Sequence, residues 1–152
     1  IGAIRLSKKF FPDFLINESS IKECDDYIDK LIKSNQKIDR NIKFDFAIGS
    51  SGTMDTICLV KQYQQSGKVK RGLNGYEFDV NEFYDIYDYI MSNKTVSERM
   101  NIPGIEEKRA DIIPAGLIIL KKVFDLFKIK KMVLSEYALR EGIVYEVINK
   151  NL

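Results

Sequence analysis

An α/β layer architecture is the fold class this sequence predicts, and three stretches predict it. The run KFDFAIG alternates apolar and polar residues and breaks at a glycine-rich turn into a helical pattern. The short apolar stretch Met132 to Leu134 is again followed by helical spacing. Between them, Leu117, Ile119, Leu120, Val123, Phe124 and Phe127 make a helix apolar nearly all round, which must be buried between layers. With 152 residues, 45% hydrophobic and 30% charged, the chain is expected to form one domain with a real core.

Taken in order, Ile1 to Leu6 has strand composition, and Phe10, Phe11 and Phe14 make an apolar connection through Pro12. Ser20 and Glu23 have capping-box spacing, and Ile21, Cys24, Ile28, Leu31 and Ile32 share one face of a helix reaching about Lys37. Phe44 to Ile48 is the second strand. Met54, Ile57, Cys58 and Lys61 then recur at helical spacing. Gln62 to Gly75 is polar with three glycines and is expected to be the most mobile surface excursion.

Asp79 or Asn81 caps a helix carrying Phe83, Ile86, Tyr87, Ile90 and Met91, and Thr95 with Glu98 offers a second capping box. The aromatic run FYDIYDYI falls at helical spacing, which favours core over a base-stacking platform. Ile105 to Ile113 reads as helical, and Pro114 suits the first turn of the buried helix. Ile143, Val144, Val147 and Ile148 close the chain as an amphipathic helix. Three strands are few for this class.

Composition narrows the chemistry. Lys+Arg 24 against Asp+Glu 22 leaves +2, so no bulk field directs the chain to nucleic acid or an acidic membrane, and Lys8-Lys9, Lys70-Arg71 and Lys130-Lys131 read as solvated faces. No run is long enough to cross a membrane, and no signal segment directs export. Two cysteines on apolar helical positions behave as small hydrophobes, which fits a reducing cytoplasm. With no histidine, neither a Ser-His nor a Cys-His nucleophile is available, and soft ligands are too few for a tight zinc, copper or iron site. Because the chain opens at Ile1 in mid-pattern, it is expected to be a piece of something longer.

The turn Gly49, Ser50, Ser51, Gly52, Thr53 carries the main functional signal. Two glycines allow a tight bend and close backbone approach, three hydroxyls supply donors, and the helix behind presents unpaired N–H groups and a positive dipole end. An anion fits there. The alternative is an ordinary strand-to-helix connection in which Thr53 only caps its helix. Asp45, Asp55, Asp111 and Glu136 could place magnesium indirectly, although no spacing selects among them, and no direct metal ligand or catalytic residue is assigned.

Three ordered segments, IGSSGTMDTI at 48 to 57, GIEEKRADIIPAGLIIL at 104 to 120 and LSEYALREGIVYE at 134 to 146, resemble the exopolyphosphatase and guanosine pentaphosphate phosphohydrolase family. The resemblance covers essentially the whole chain. It implies a ribonuclease-H-like domain of the actin, Hsp70 and sugar-kinase superfamily, with residues 1–152 forming most of the second domain, the C-terminal half of a two-domain phosphatase core. It further implies a hydrolase that releases terminal phosphate from inorganic polyphosphate or guanosine pentaphosphate. This chain would supply one wall of the cleft, with Gly49 to Thr53 against the phosphates and Arg109, Asp111, Gly116, Arg140 and Glu141 as supports.

The family's catalytic glutamate lies before Ile1, so this piece alone is expected to be inactive, with magnesium bound mostly outside it. The missing N-terminal domain is the expected partner, and a homodimer is compatible with the reading. A non-catalytic module sensing guanosine tetraphosphate or ATP is the alternative. From the residues alone, structural ion pairing is the favoured role for Arg109 and Asp111, and scaffolding rather than chemistry for Arg140 and Glu141.

Overall fold

The computed structural model describes residues 1–34 and 42–150. Seven helices and three strands are described: α1 (Ala3–Phe10), α2 (Glu18–Ser34), β1 (Ala47–Gly49), α3 (Gly52–Ser66), β2 (Glu77–Asp79), α4 (Val80–Ser92), α5 (Val96–Met100), α6 (Ile113–Phe127), β3 (Lys131–Leu134) and α7 (Leu139–Lys150). The α/β expectation holds, with helices dominating. The sheet has the order β1-β3-β2. β3 pairs in parallel with β1, placing Ile48 opposite Val133, and antiparallel with β2, placing Phe78 opposite Met132.

The first segment is a helix, not a strand. Ala3, Leu6, Ser7 and Phe10 repeat at helical spacing, and that stripe packs on α6 and α2, with Phe10 5.2 Å from the Tyr27 ring. Composition lost to periodicity here. α2 starts two residues before the expected cap: Asn17 accepts from the Ser20 amide at 2.8 Å while Ser20 Oγ accepts from the Asn17 amide at 3.1 Å. Ser20 is thus the reciprocal partner in the box rather than its cap. The expected end of α2 near Lys37 lies outside the described residues.

The second strand is shorter than the alternation suggested. Only Ala47–Gly49 pairs, because β3 offers just four residues, and Phe44 instead meets Phe127 edge-on at 5.6 Å. Phe46 and Ile48 remain exposed, and β1 has no strand on its outer edge among the described residues. The third strand, β2, was not expected, although Tyr76 to Val80 alternates apolar and polar residues. The loop before it is anchored rather than loose: the Gly75 amide donates to the Leu134 carbonyl and the Leu134 amide to the Tyr76 carbonyl, both at 2.8 Å.

Both later caps fall where local chemistry puts them. Asp79 Oδ1 accepts from the amides of Asn81 and Glu82, and the Glu82 carboxylate accepts from the Asp79 amide while also receiving Lys61 Nζ at 2.7 Å. Asp79→Ala is expected to cost about 1 kcal/mol, read from the urea midpoint at unchanged m-value. Thr95 and Glu98 form the second box. Phe83, Ile86 and Ile90 are buried, so FYDIYDYI is core, with Phe83 stacked on Phe124 at 4.8 Å.

Ile105 to Ile113 does not form the expected helix; it holds one 3-10 turn at Glu107–Arg109. Gly104 has φ +101°, and a Cβ there would sit 2.7 Å from the Val60 amide nitrogen, so only glycine lets this turn lie on the α3 backbone. Beside it, Arg99 is fully buried and spends its guanidinium on four carbonyls: Ala110 at 2.6 Å, Asn93 at 2.9 Å, Lys94 at 3.0 Å and Phe14 at 2.7 Å.

Pro114 lies in the first turn of α6, and Ile113 to Ile118 are all buried, as the apolar run requires. Cys24 and Cys58 are free and buried, which pushes their thiols up to about 11 and about 12 and keeps them unreactive. α7 is helical as expected, but it buries none of its residues: Leu139, Ile143, Val144, Val147 and Ile148 are all exposed.

Candidate functional site

The turn after β1 forms because β1 ends at Gly49, whose carbonyl is held by the Ser135 amide at 2.9 Å, and α3 begins three residues later. Ser51, not Thr53, is the N-cap; its hydroxyl accepts from the Met54 amide at 3.4 Å. The next amide, Asp55, already bonds back to the Ser51 carbonyl at 3.0 Å. The N–H groups of Gly52 and Thr53 are the first two of the helix and have no hydrogen-bond partner among the described residues. Ser50 and Ser51 are exposed, so the bend is open to its surroundings.

Each glycine has a specific neighbour. A Cβ on Gly52 would lie 1.7 Å from the Arg109 Cζ, so what approaches the backbone there is the Arg109 guanidinium lying across the turn. A Cβ on Gly116 would lie 2.3 Å from Thr53 Oγ1, so the start of α3 rests directly on the first turn of α6. Thr53 is therefore a packing residue. A Cβ on Gly49 would lie 2.7 Å from Met54 Cγ, so the Met54 side chain packs against this glycine.

Two open cavities flank this point and share Ser51 and Gly52. One, of about 360 Å³, is lined by Ser50, Asp55, Arg71, Glu106, Glu136 and Arg140 among others. The other, of about 610 Å³, has Arg109, Thr53 and Gly116 beside the apolar Ile4, Ile119, Leu120 and Val123. Asp55 lies in the first turn of α3. Partial desolvation raises its pKa above the ordinary aspartate value, Arg109 opposes that rise, and the carboxylates of Glu136 and Glu106 add to it.

The remaining expected residues separate. Arg109 and Asp111 do not pair with each other. Arg109 has no ion pair or hydrogen bond from its side chain among the described residues, whereas Asp111 turns inward, where its charge acts on Arg99 and its Oδ1 is buried without a partner. Gly116 sits at the α3–α6 contact. Arg140 lines the smaller cavity with Ser50 and Ser51. Glu141 does not brace the turn: its carboxylate accepts from the Ala138 amide at 2.8 Å, capping α7, and this bond holds its pKa below the usual value.

Arg71, Glu106 and Glu136 were not singled out together by the sequence, since tertiary packing brings them to the turn: the β2–β3 pairing places the loops of Arg71 and Glu136, and the contact of Gly104 with α3 places that of Glu106. Among the described residues no group of three or more Cys, Asp or Glu is placed to hold a metal ion. No described helix is long and apolar enough to cross a membrane.

The sequence matches the family described as the Ppx/GppA phosphatase family over residues 1–151. It is 26% identical over 156 residues to the guanosine-5'-triphosphate,3'-diphosphate pyrophosphatase of Vibrio parahaemolyticus, covering 99% of this chain and 28% of that protein. The fold superposes on an exopolyphosphatase from Cytophaga hutchinsonii with a TM-score of 0.83 and 24% identity, over 99% of this chain and 48% of the other. An Aquifex aeolicus Ppx/GppA family member superposes with a TM-score of 0.79 at 22% identity, over 100% and 48% respectively. The chain thus spans less than half the length of these relatives. With a match from its first residue to its next-to-last and a shared fold, the chain belongs to the Ppx/GppA phosphatase family.

Proposed function

We propose that this chain forms one wall of the phosphate cleft of a hydrolase that releases terminal phosphate from inorganic polyphosphate or guanosine pentaphosphate. One observation carries the reading: at an exposed bend between two cavities, two helix-start amides lie beside the Arg109 guanidinium, and among the described residues none of these donors makes a hydrogen bond or ion pair. Fixed N–H groups and a guanidinium are the donors that stabilise charge developing on a transferred phosphoryl group. Ser50 and Ser51 add hydroxyl donors at the rim. The names of the relatives supply the substrate class.

In this reading the attacking water and the carboxylate that orients it come from the rest of a longer Ppx/GppA protein. That remainder would pack on the exposed stripe of α7 and the open edge of β1. Among the described residues no group of three or more Cys, Asp or Glu is placed to hold a metal ion, so no step is assigned to magnesium, which is proposed to bind mostly in the remainder. The chain alone is inactive on this proposal. A reducing cytoplasm is its proposed location, supported by the two free, buried cysteines.

The test is phosphate release from polyphosphate and from guanosine pentaphosphate by the full-length protein, with this chain alone as control. Gly52→Trp in the full-length protein evicts Arg109 and covers the amides, and is expected to reduce turnover roughly 100-fold with the fold retained. Unchanged turnover in that variant, or no release from either substrate by the parent, rejects the proposal. The apolar wall of the larger cavity, beside Arg109, favours one second reading, a nucleotide sensor without turnover. Calorimetry would then show guanosine tetraphosphate binding with no hydrolysis in the parallel assay.

A further inference from the structure

Arg71 reads in the sequence as half of a solvated basic pair, yet the fold places it in the lining of the smaller cavity, with Ser50, Ser51 and Arg140. Its loop is fixed on both sides of the β3 end: the Leu73 amide donates to Glu136 Oε1 at 2.7 Å, and the Gly75 amide to the Leu134 carbonyl at 2.8 Å. The backbone bearing Arg71 is therefore held two residues from an anchor while the long side chain is 85% exposed and free to swing. At present it reaches across to Glu106, with Nη2 2.7 Å from Oε1.

Glu106 has a second cation. Lys108 Nζ lies 3.0 Å from its other oxygen, and the hydrogen bond from Lys108 is the largest cause of its lowered pKa. If Arg71 leaves, Glu106 keeps a counter-ion, so the exchange strands no charge. An ion pair this exposed holds weakly, and a multiply charged chain of phosphates competes for a guanidinium with charge and bidentate geometry together. Arg140 is similarly uncommitted: it is 90% exposed and 3.9 Å from Glu141, whose carboxylate already caps α7.

Building on the phosphate-cleft reading above, we propose that Arg71 and Arg140 form a second anion subsite in the cavity beside the turn. Glu106 latches Arg71 in the free protein, and the subsite selects an extended phosphate chain over a single phosphate. A phosphate at the Gly52 and Thr53 amides leaves its neighbours in the chain to engage the arginines, whereas orthophosphate reaches only the turn. Asp55 and Glu136, in the same lining, repel an anion not offset by both arginines.

The experiment is calorimetric titration of this chain with tripolyphosphate and with orthophosphate at one low ionic strength, on wild type, Arg71→Gln, Glu106→Gln and the double variant. All substituted side chains are at the surface, and circular dichroism verifies that each folds. Arg71→Gln is expected to weaken tripolyphosphate roughly tenfold, Glu106→Gln to tighten it severalfold, and the double variant to match Arg71→Gln. Orthophosphate affinity should stay the same in all four. If wild type binds tripolyphosphate and the variants bind it equally, the latch and subsite are rejected while the phosphate-cleft reading stands. If no variant binds either ligand, both fall.

Discussion

Replacing Arg99 with leucine is expected to destabilise the fold by about 3–5 kcal/mol, the range seen when one partner of a buried charged network is removed. The size follows from what is left behind. Arg99 is 0% exposed, and its guanidinium is the donor to the carbonyls of Phe14, Asn93, Lys94 and Ala110. These belong to the turn after α1, the α4–α5 junction and the turn before α6, so one side chain bonds to three connections, two of which are also linked by the Ile16 amide on the Lys94 carbonyl. Leucine fills part of the volume but leaves buried acceptors unpaired, at about 1–3 kcal/mol for each group that water cannot reach. Asp111, whose charge also acts on Arg99, loses its nearest compensation.

For a chain of this length, that loss lowers Tm by roughly 10 °C. Arg99→Lys is the discriminating control: a single ammonium cannot span acceptors spread around a planar fork, so it should recover less than half of the loss. If Arg99→Leu cost under about 1 kcal/mol, the range of an ordinary surface change, the three connections would be held by something other than this residue. Urea unfolding at a fixed pH decides the question.

Arg99 also shows where sequence reading stops. Thr95 and Glu98, four and one residues before it, were legible because a capping box is a local pattern with a fixed spacing. A cap at Asp79 or Asn81, Pro114 in the first turn of α6 and the break from β1 into α3 were legible for the same reason, whereas the return bond from Glu82 was not read. Nothing local distinguishes Arg99 from a solvated arginine, because its partners at Phe14 and Ala110 are set by tertiary packing. β2 was missed for another reason: Tyr76 to Val80 does alternate apolar with polar residues, but the run is short and passes directly into the helical pattern of α4, and it becomes a strand by pairing with β3. Ile1 to Leu6 failed differently. Its β-branched composition pointed to a strand, and only the stripe through Ser7 and Phe10, which needs the faces of α2 and α6, makes it a helix.

The candidate site divides along the same line. The bend and its hydroxyls could be read from GSSGT, but the partner of each glycine could not: Gly52 receives Arg109 from 57 positions downstream, and Gly116 receives Thr53. Close approach was the correct reason for glycine, and a protein side chain is what approaches. Ser51 takes the capping role that the alternative reading gave to Thr53 because α3 begins two residues earlier than that cap requires, at Gly52 rather than Met54.

The Thr53–Gly116 contact supports the second large expectation. Gly116→Ala puts a methyl group 2.3 Å from Thr53 Oγ1 and 3.1 Å from its Cγ2, inside contact distance of both branches of a side chain that is stiff in a helix. Overpacking of this kind costs about 1–3 kcal/mol, and the strain is relieved by lifting the first turn of α3 off α6. That movement displaces the amides of Gly52 and Thr53, so the variant should lose stability and tripolyphosphate affinity together. Thr53→Ala removes both branches and leaves only the Thr53 Cβ, 3.3 Å from the new methyl, a tight but tolerable contact. The double variant Thr53→Ala/Gly116→Ala is therefore expected to regain most of the stability lost by Gly116→Ala. The cycle should show a coupling of about 1–2 kcal/mol, since the two residues touch. Additive losses would mean that Gly116 is required by some other neighbour. Recovery of stability without recovery of binding would mean that the threonine itself, rather than the position of the turn, contributes to the anion site.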